Sequence, residues 1–378
     1  MLRFVPSGRM RLMMNRLHDP SPAPLNIGSV PIDPPLILAP MAGVTDAAFR
    51  RVAADHGAGM VTTEMISVEG LRRNMPATWK LTRQEPALPV PLAVQVFGAD
   101  PRAAGEAARM LADRGVALID INAGCPVRKV VRQGAGAALL GDPLRLVRMV
   151  ESVKRSVTIP VTVKVRLGWD DGSIQILDTA RRLESAGVDA ITVHARTAVQ
   201  QYGGRADWTW IRRIKEAVSV PVIGNGDVVG MSSARAMLRE TGCDAVMIGR
   251  GAMGNPWLFS VLAQQWTVAR SADNGGRRRP DWAEFRGTVR NHVEHFLLGA
   301  PRPAGHLRKL LSWYSRGCPE GARLRQQITD TREVPEMLAL FDLWIDSVAA
   351  RGVDVLAAKV GADRVEPLAE GECGVVKS

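Results

Sequence analysis

The chain is poor in cysteine, with only four residues in 378 and no two of them spaced as C-x-x-C. This spacing argues against a zinc ribbon and against a disulfide framework, so we expect no metal site. Free thiols and a 46% apolar composition favour a reducing, cytoplasmic setting. Apolar runs near the roughly 18 residues of a membrane helix are also missing, so we expect no membrane contact. We expect a monomer.

Acidic residues are scarce relative to basic ones, with 38 Asp and Glu against 49 Lys and Arg, giving a net charge of +11. A chain this basic usually meets a polyanion, and nucleic acid is the first candidate. Between residues 302 and 332, bases and aromatics interleave on a helical pattern that includes Arg308, Lys309, Arg323 and Arg325. We predict phosphate contacts there. Arginines lying over a helical core, or a merely solvated basic surface, are the alternatives.

Eight short, apolar, β-rich runs alternate with helical patterns between residues 35 and 250. This alternation is typical of a parallel sheet that helices cover. Eight units of this length predict an α/β fold of the (β/α)₈ TIM-barrel class, with a doubly wound open sheet as the alternative. The predicted strands are 36–41, 60–65, 92–97, 118–122, 161–167, 190–194, 221–225 and 245–250.

The strand rhythm stops after residue 256, and apolar residues then recur at helical spacing. We therefore predict a barrel over 26–256 and a smaller, separate all-helical domain over 257–350. Residues 1–25 carry arginines but no continuous apolar segment, so they are predicted to be a flexible extension without a secretory signal. Residues 351–378 are predicted to form a tail, and the basic loop 275–280 lies inside the helical domain.

The predicted strands end in residues that a buried strand would not otherwise contain. In a TIM barrel the carboxyl ends of the strands form the active face, so these residues are predicted to share a site. Glycine-rich turns at 224–227 and 249–251 follow the last two strands, the corner that commonly binds phosphate. The polar strand ends are Glu64, Gln95, Asn122, Lys164 with Arg166, His194, Asn225 and Arg250.

Three residues at or just beyond these strand ends suggest chemistry. Cys125 lies on a tight turn directly after the fourth run and is followed by basic residues, a setting suited to a proton donor or nucleophile. Lys164 lies within its strand and would need a partner, either as a Schiff-base lysine or against an electron-rich cofactor ring. Gln95 favours the ring, since an amide can both donate to and accept from the edge of a flavin.

Together these segments resemble the bacterial tRNA-dihydrouridine synthases, and most closely the DusB type. The resemblance spans about residues 30 to 340. It is carried by APMAGVTD at 39–46, NAGCPVRK at 122–129, GAGAALL at 134–140, TVKVRLGW at 162–169, HART at 194–197, VIGNGD at 222–227 and GRGAMGNP at 249–256.

The resemblance implies a flavoenzyme that uses FMN, with NADPH as reductant, to reduce a D-loop uridine of tRNA, at position 17 if the DusB likeness holds. Cys125 is the implied proton donor. Asn122 and Arg166 are assigned to the substrate, together with Arg308, Lys309, Arg323 and Arg325 of the helical domain. The implied cofactor contacts, with His194 added because it ends the sixth run, are Pro40, Met41, Ala42, Gln95, Lys164, His194, Asn225, Gly226, Asp227, Gly249 and Arg250.

Three other functions remain open from the sequence. An enzyme like dihydroorotate dehydrogenase would run similar flavin chemistry on a free pyrimidine, but it has no need of the basic helical segment. A barrel aldolase would use Lys164 as a Schiff base. A tRNA-binding or regulatory protein with an idle barrel would have no use for Cys125, Gln95 and Lys164 together.

Overall fold

Eight parallel strands close into a barrel in the computed structural model, which describes residues 24–82, 87–270, 280–298, 303–354 and 359. Each strand pairs with the next, and the last pairs with the first through Val246 opposite Leu36. The strands are β1 (Leu36–Leu38), β2 (Met60–Thr62), β3 (Leu92–Phe97), β4 (Leu118–Ala123), β5 (Val161–Arg166), β6 (Ala190–His194), β7 (Val222–Asn225) and β8 (Ala245–Ile248). An additional short strand, Ile66–Ser67, pairs with β3.

The predicted TIM barrel is confirmed, since each of the eight predicted runs contains a strand of the ring. The open-sheet alternative is wrong, because the pairing of β8 with β1 leaves no edge. β-branched residues such as Val163, Ile191 and Val222 are completely buried, as expected for strands enclosed by their own barrel and by helices.

A short antiparallel hairpin, Leu25–Ile27 with Val30–Ile32, precedes β1. Ile27 and Ile32 are fully buried in a cluster with residues that begin the barrel strands, such as Leu118 and Ala190. The hairpin therefore closes the end of the barrel where the strands begin, opposite their carboxyl ends. The predicted extension 1–25 overlaps this hairpin at Leu25, and residues 1–23 lie outside the described residues.

Local capping explains where several barrel helices begin. Asp142 accepts a hydrogen bond from the Arg145 N–H and Pro143 occupies the first turn, so the helix predicted from the Asp-Pro signal is confirmed at Pro143–Ser156. The barrel helices are α1 (Ala47–Asp55), α2 (Val68–Arg72), α3 (Pro76–Lys80), α4 (Pro101–Ala112), α5 (Arg128–Val131), α6 (Pro143–Ser156), α7 (Ile176–Ser185), α8 (Thr209–Ala217) and α9 (Met231–Thr241).

The region after the barrel is helical, as predicted. Its aromatic core stacks Trp257 on Phe285 at 5.0 Å, and His292 stacks on Phe49 of the barrel at 5.5 Å, so the two parts share one hydrophobic core. The helices are α10 (Trp257–Arg270), α11 (Trp282–Leu297), α12 (Pro303–Ser315), α13 (Gly321–Asp330) and α14 (Val334–Ala349).

Within the described ranges, no helix combines the length and apolarity needed to cross a bilayer. Most of the predicted basic loop (275–279) and of the predicted tail (355–358 and 360–378) lies outside those ranges. Lys359 of the tail is described, and its ammonium donates to the carbonyls of Trp313 and Arg316 at the end of α12.

A glycine at the junction of barrel and helices should be essential for stability. Gly254 has φ of +62°, and a Cβ there would lie 2.3 Å from the Trp313 carbonyl. We expect Gly254→Ala to lower the free energy of unfolding by about 2 kcal/mol or more, because it adds a clash to a left-handed backbone. Urea unfolding measures this. The control is Gly287→Ala within α11, where a Cβ meets nothing and should stabilise by up to ~1 kcal/mol. Equal behaviour of both variants would contradict the prediction.

Candidate active site

One cavity opens at the carboxyl ends of the barrel strands, and it gathers residues from all around the ring. Every residue that the sequence assigned to the cofactor lines it, and so do Cys125, Asn122 and Arg166. Met65, Arg196, Tyr202 and Met247 complete much of the wall. The cofactor-assigned residues in the wall are Pro40, Met41, Ala42, Gln95, Lys164, His194, Asn225, Gly226, Asp227, Gly249 and Arg250.

The turn that carries Cys125 is held by Asn122, the penultimate residue of β4. The Asn122 side-chain oxygen accepts the backbone N–H groups of Gly124 at 3.1 Å and Cys125 at 2.9 Å. Gly136 packs directly beneath, since a Cβ at that position would lie 2.6 Å from the Cys125 carbonyl oxygen. Cys125 is partly exposed to the cavity rather than packed into the apolar interior. The thiol can therefore meet a bound molecule.

A chain of side-chain hydrogen bonds runs behind the cavity wall. Asp120 accepts from Thr162 Oγ1 at 2.6 Å and from Gln95 Nε2 at 2.7 Å, and Gln95 Oε1 accepts from Asn122 Nδ2 at 2.9 Å. Burial raises the pKa of Asp120 above its usual value, and the bonds from Thr162 and Gln95 oppose that rise. The second N–H of the Gln95 amide remains for a partner in the cavity.

The cavity is rich in positive charge, with four cationic side chains in its wall and one carboxylate, Asp227. Burial and the nearby Arg166 lower the pKa of Lys164 to about 8, although Asp120 and Cys125 partly offset this. Burial likewise lowers the pKa of Arg166 to about 10. Both groups are thus mainly cationic at neutral pH, and their charge favours an anionic or electron-rich ligand.

Arg166 and Arg196 also organise the loops around the cavity. Arg166 donates from Nε to the Gly124 carbonyl at 2.9 Å and from Nη1 to the carbonyls of Thr197 and Gln201 at 2.8 and 2.7 Å. It therefore joins the turn of Cys125 to the loop after β6 while retaining the N–H donors of Nη2.

The fully buried Arg196 forms an ion pair with Asp227, whose two oxygens lie 2.8 and 2.9 Å from Arg196 Nη2. The Ala206 N–H donates to the same carboxylate at 2.7 Å. Asp227 lies in the cavity wall, but its oxygens are committed to these protein partners. Its contribution to a ligand site would therefore be to hold Arg196 and the backbone around Gly226.

His194 is electrically neutral in this setting. Burial is the main cause that lowers its pKa well below the usual value, and Arg166 and Lys164 lower it further. Arg196 Nη1 lies 3.5 Å from His194 Nε2. Because a guanidinium only donates, Nε2 is the acceptor and the ring proton lies on Nδ1. His194 can therefore donate a hydrogen bond without adding charge.

The corner formed by the glycine turns at 224–227 and 249–251 is closely packed. Gly226 adopts φ of +124°, and a Cβ there would lie 2.8 Å from the Ala206 Cβ and 3.3 Å from the His194 ring. Asn225 Nδ2 donates to the Met247 carbonyl at 2.9 Å and ties β7 to β8. Backbone N–H groups of this corner can approach a ligand that a side chain would keep away. Among the described residues, no cluster of three metal-ligating side chains occurs.

The four basic residues of the helical domain do not line this cavity. Arg308 donates from both Nε and Nη2 to the Thr331 carbonyl, at 3.2 and 2.6 Å, and so fastens the segment after α13. Lys309 and Arg323 are exposed, and Arg325 is half-buried. The two exposed side chains can contact an outside partner, whereas Arg308 is engaged within the protein.

No site role was predicted for Asp120, Thr162, Arg196 or Tyr202, although Arg196 was noted beside His194 in the HART segment. Asp120 carries a detectable signal, because an acid between two isoleucines in a buried strand needs donors nearby. The role of Tyr202 has no such signal. Its ring lies within 5.5 Å of the Arg166 guanidinium and 5.2 Å of the Arg250 guanidinium only because the loop after β6 folds back over the cavity.

A match to a protein-family model shows the family of this chain. Residues 37–348 match the family model described as dihydrouridine synthase (Dus). The chain belongs to the dihydrouridine synthase family.

The alignments of this family member with two relatives extend over nearly the whole length of each relative. It is 39% identical over 318 residues to a probable tRNA-dihydrouridine synthase of Rhodobacter capsulatus, covering 84% of this chain and 96% of the relative. It is also 39% identical over 334 residues to tRNA-dihydrouridine synthase B of Xanthomonas campestris, covering 86% and 97%. The predicted resemblance is confirmed at the level of the family.

Solved structures support the fold of this dihydrouridine synthase family member. Histamine dehydrogenase from Rhizobium sp. 4-9 superposes with a TM-score of 0.52 at 14% identity, over 72% of this chain and 50% of that one. A 2-naphthoyl-CoA reductase gives 0.53 at 12% identity, over 66% and 53%. The chain thus spans about half the length of these larger proteins, and the likeness concerns the barrel fold alone.

Lys164, a cation held largely away from solvent, should make the stability of the ligand-free protein depend on pH. Its pKa is about 8 when folded and near 10.5 when unfolded, so the unfolded chain binds more protons between these values. Stability relative to Lys164→Met should therefore rise with pH by up to about 3 kcal/mol from pH 7 to pH 10.5. Urea unfolding of both proteins at each pH measures the difference. A difference that does not change with pH would contradict the burial of this charge.

Proposed function

We propose that the protein is an FMN-dependent tRNA-dihydrouridine synthase of the DusB type, using NADPH to reduce the C5–C6 double bond of a D-loop uridine, at position 17. The observation that carries this proposal is the meeting of Cys125, Gln95 and Lys164 in one cationic cavity beside the glycine turns of β7 and β8. Membership of the family and its tRNA-dihydrouridine synthase relatives support the substrate. We further propose a cytoplasmic monomer that needs no metal.

The residues of the cavity fit a flavin mononucleotide. Gly226 and Gly249 leave backbone room for a phosphate, and Arg250 adds positive charge at that corner. Pro40, Met41 and Ala42 supply the apolar wall that a ring system needs. Lys164 and the remaining N–H of Gln95 would bind the polar edge of the ring, and the lysine charge favours an electron-rich form of it. When bound, the flavin supplies hydride to C6 of the uracil.

Cys125 completes the reduction by giving a proton to C5. The S–H bond breaks, a C5–H bond forms, and the sulfur is left as a thiolate. A negative charge at Cys125 would interact favourably with both Lys164 and Arg166, because the same charge raises the pKa of each. These two cations would therefore stabilise the thiolate until solvent protonates it again. General acid catalysis of this kind contributes about 10²- to 10⁴-fold to a rate.

Asn122 acts on the geometry of this step, since it holds the N–H groups of the cysteine turn. Asn122 is itself held by Gln95, so the proton donor and the proposed ring-binding amide are fixed by one hydrogen-bond chain. Neutral His194 and the Nη2 group of Arg166 can donate hydrogen bonds to the uracil carbonyls. Neither group gains or loses a proton in doing so.

The helical domain would hold the tRNA by its phosphates, with exposed Lys309 and Arg323 as contacts. A net charge of +11 agrees with such a polyanionic substrate. The target base must leave its stack to reach the cavity, which costs a few kcal/mol and is easiest in a loop already bent by tRNA folding.

Removal of the thiol tests the proposed acid. Cys125→Ala should retain flavin, judged by its visible absorbance, yet lose about 10²-fold or more of dihydrouridine formation on tRNA. The matched control is Cys318→Ala in the helical domain, another partly buried thiol, which should remain active. Wild-type turnover by Cys125→Ala would reject the assigned role.

Charge reversal tests the tRNA surface. Lys309→Glu with Arg323→Glu should weaken tRNA binding, with a shallower dependence of log Kd on log salt than in wild type, because two phosphate contacts are lost. Filter binding at several salt concentrations measures both effects. Arg109→Glu with Arg181→Glu, on exposed faces of α4 and α7, is the control. If both pairs weaken binding equally, the helical domain has no special part in it.

A further inference from the structure

Three loops after neighbouring strands form a continuous rim on one side of the cavity. They follow β4, β5 and β6, and main-chain bonds join the second to the third: the Ala198 N–H donates to the Gly168 carbonyl at 2.9 Å, and the Val199 N–H donates to the Trp169 carbonyl at 2.9 Å. Arg166 joins the first to the third. The rim is therefore a connected surface and not three independent loops.

This rim exposes apolar side chains to an unusual degree. Trp169, Val199 and Tyr202 are 40%, 60% and 42% exposed, and they are three of only seven large hydrophobic residues exposed within the described ranges. A tryptophan is costly to leave in water, and its flat face suits stacking on another ring. Trp169 lies three residues beyond Arg166 of the cavity wall, and its carbonyl is bonded to the loop that carries Tyr202, another residue of that wall.

The charges beside the rim indicate which part of a nucleic acid it would meet. Exposed Arg128, Lys129 and Arg132 lie in and directly after the short helix α5, within the connection that follows Cys125, and can bind phosphates. Exposed Asp170 and Asp171 directly follow Trp169 and would repel a phosphate there. The loop of Trp169 is thus suited to the uncharged face of a base, with the sugar-phosphate chain directed toward the basic loop.

We propose that Trp169 is a stacking platform for a nucleotide adjacent to the target uridine, while Arg128, Lys129 and Arg132 hold the phosphates of the same strand. The inference rests on the proposed tRNA substrate and deepens it. The target base enters the cavity between the Cys125 turn and Tyr202, and its unstacked neighbour replaces the lost stacking partner with the indole. The rim would in this way favour an opened single-stranded loop over a regular helix.

The test combines a protein change with a substrate change. Trp169→Ala should weaken binding of a full-length tRNA transcript about tenfold, within the range found for base–aromatic stacking, and Trp169→Phe should restore most of it. In turnover the loss should appear in KM, with kcat little changed. Flavin content and NADPH-driven flavin reduction without tRNA should equal wild type. The control is Leu343→Ala, which removes a 67% exposed side chain from α14 and should bind normally.

Transcripts with an abasic site directly 5′ or 3′ of uridine 17 identify the stacked neighbour. One of them should bind wild type about tenfold more weakly than intact tRNA, yet show no further loss with Trp169→Ala. Wild-type affinity of Trp169→Ala, or an abasic penalty of equal size in both proteins, would overturn the platform. If tRNA binds as described but no dihydrouridine forms, the platform stands and the proposed function fails. If wild type does not bind tRNA, both are rejected.

Discussion

The site depends on a carboxylate buried behind it. Asp120 lies within a strand of the barrel, where an acid is tolerated because Thr162 and Gln95 donate to it and the charge of Lys164 lies nearby. The bond from Asp120 orients the Gln95 amide, Gln95 orients Asn122, and Asn122 holds the turn of the cysteine. The burial of one carboxylate thus fixes the orientations of three polar side chains, those of Thr162, Gln95 and Asn122. Removing one member would leave the next with an unsatisfied group, which is why such chains are either complete or absent.

Beside this chain of hydrogen bonds, four cationic side chains line the cavity. Burial, helped by repulsion from the nearby Arg166 and Lys164, lowers the pKa of His194 and keeps its ring uncharged, so the wall contains both cations and a neutral donor. This combination of cations and a neutral donor suits a ligand with an anionic phosphate at one end and weakly polar carbonyls at the other. Asp227 moderates the repulsion, since it pairs with Arg196 and lies 3.7 Å from Arg250 Nη2.

The repeat of strands and helices made the barrel predictable, because strongly periodic segments dominate both the sequence and the fold. The positions of residues at strand ends were predictable for the same reason: a closed ring brings all eight ends together. The hairpin Leu25–Ile27 with Val30–Ile32 was missed, because three-residue strands carry almost no periodicity. Partners of arginines are equally hidden, since nothing local tells that Arg308 reaches a carbonyl 23 residues away while Lys309 faces solvent.

The reach of Arg166 has an evolutionary consequence. Its guanidinium spans from the Gly124 carbonyl to those of Thr197 and Gln201, so an insertion or deletion in either loop would misplace the cysteine turn even if no catalytic residue changed. Loop length at these two places should therefore resist drift across descendants of this gene.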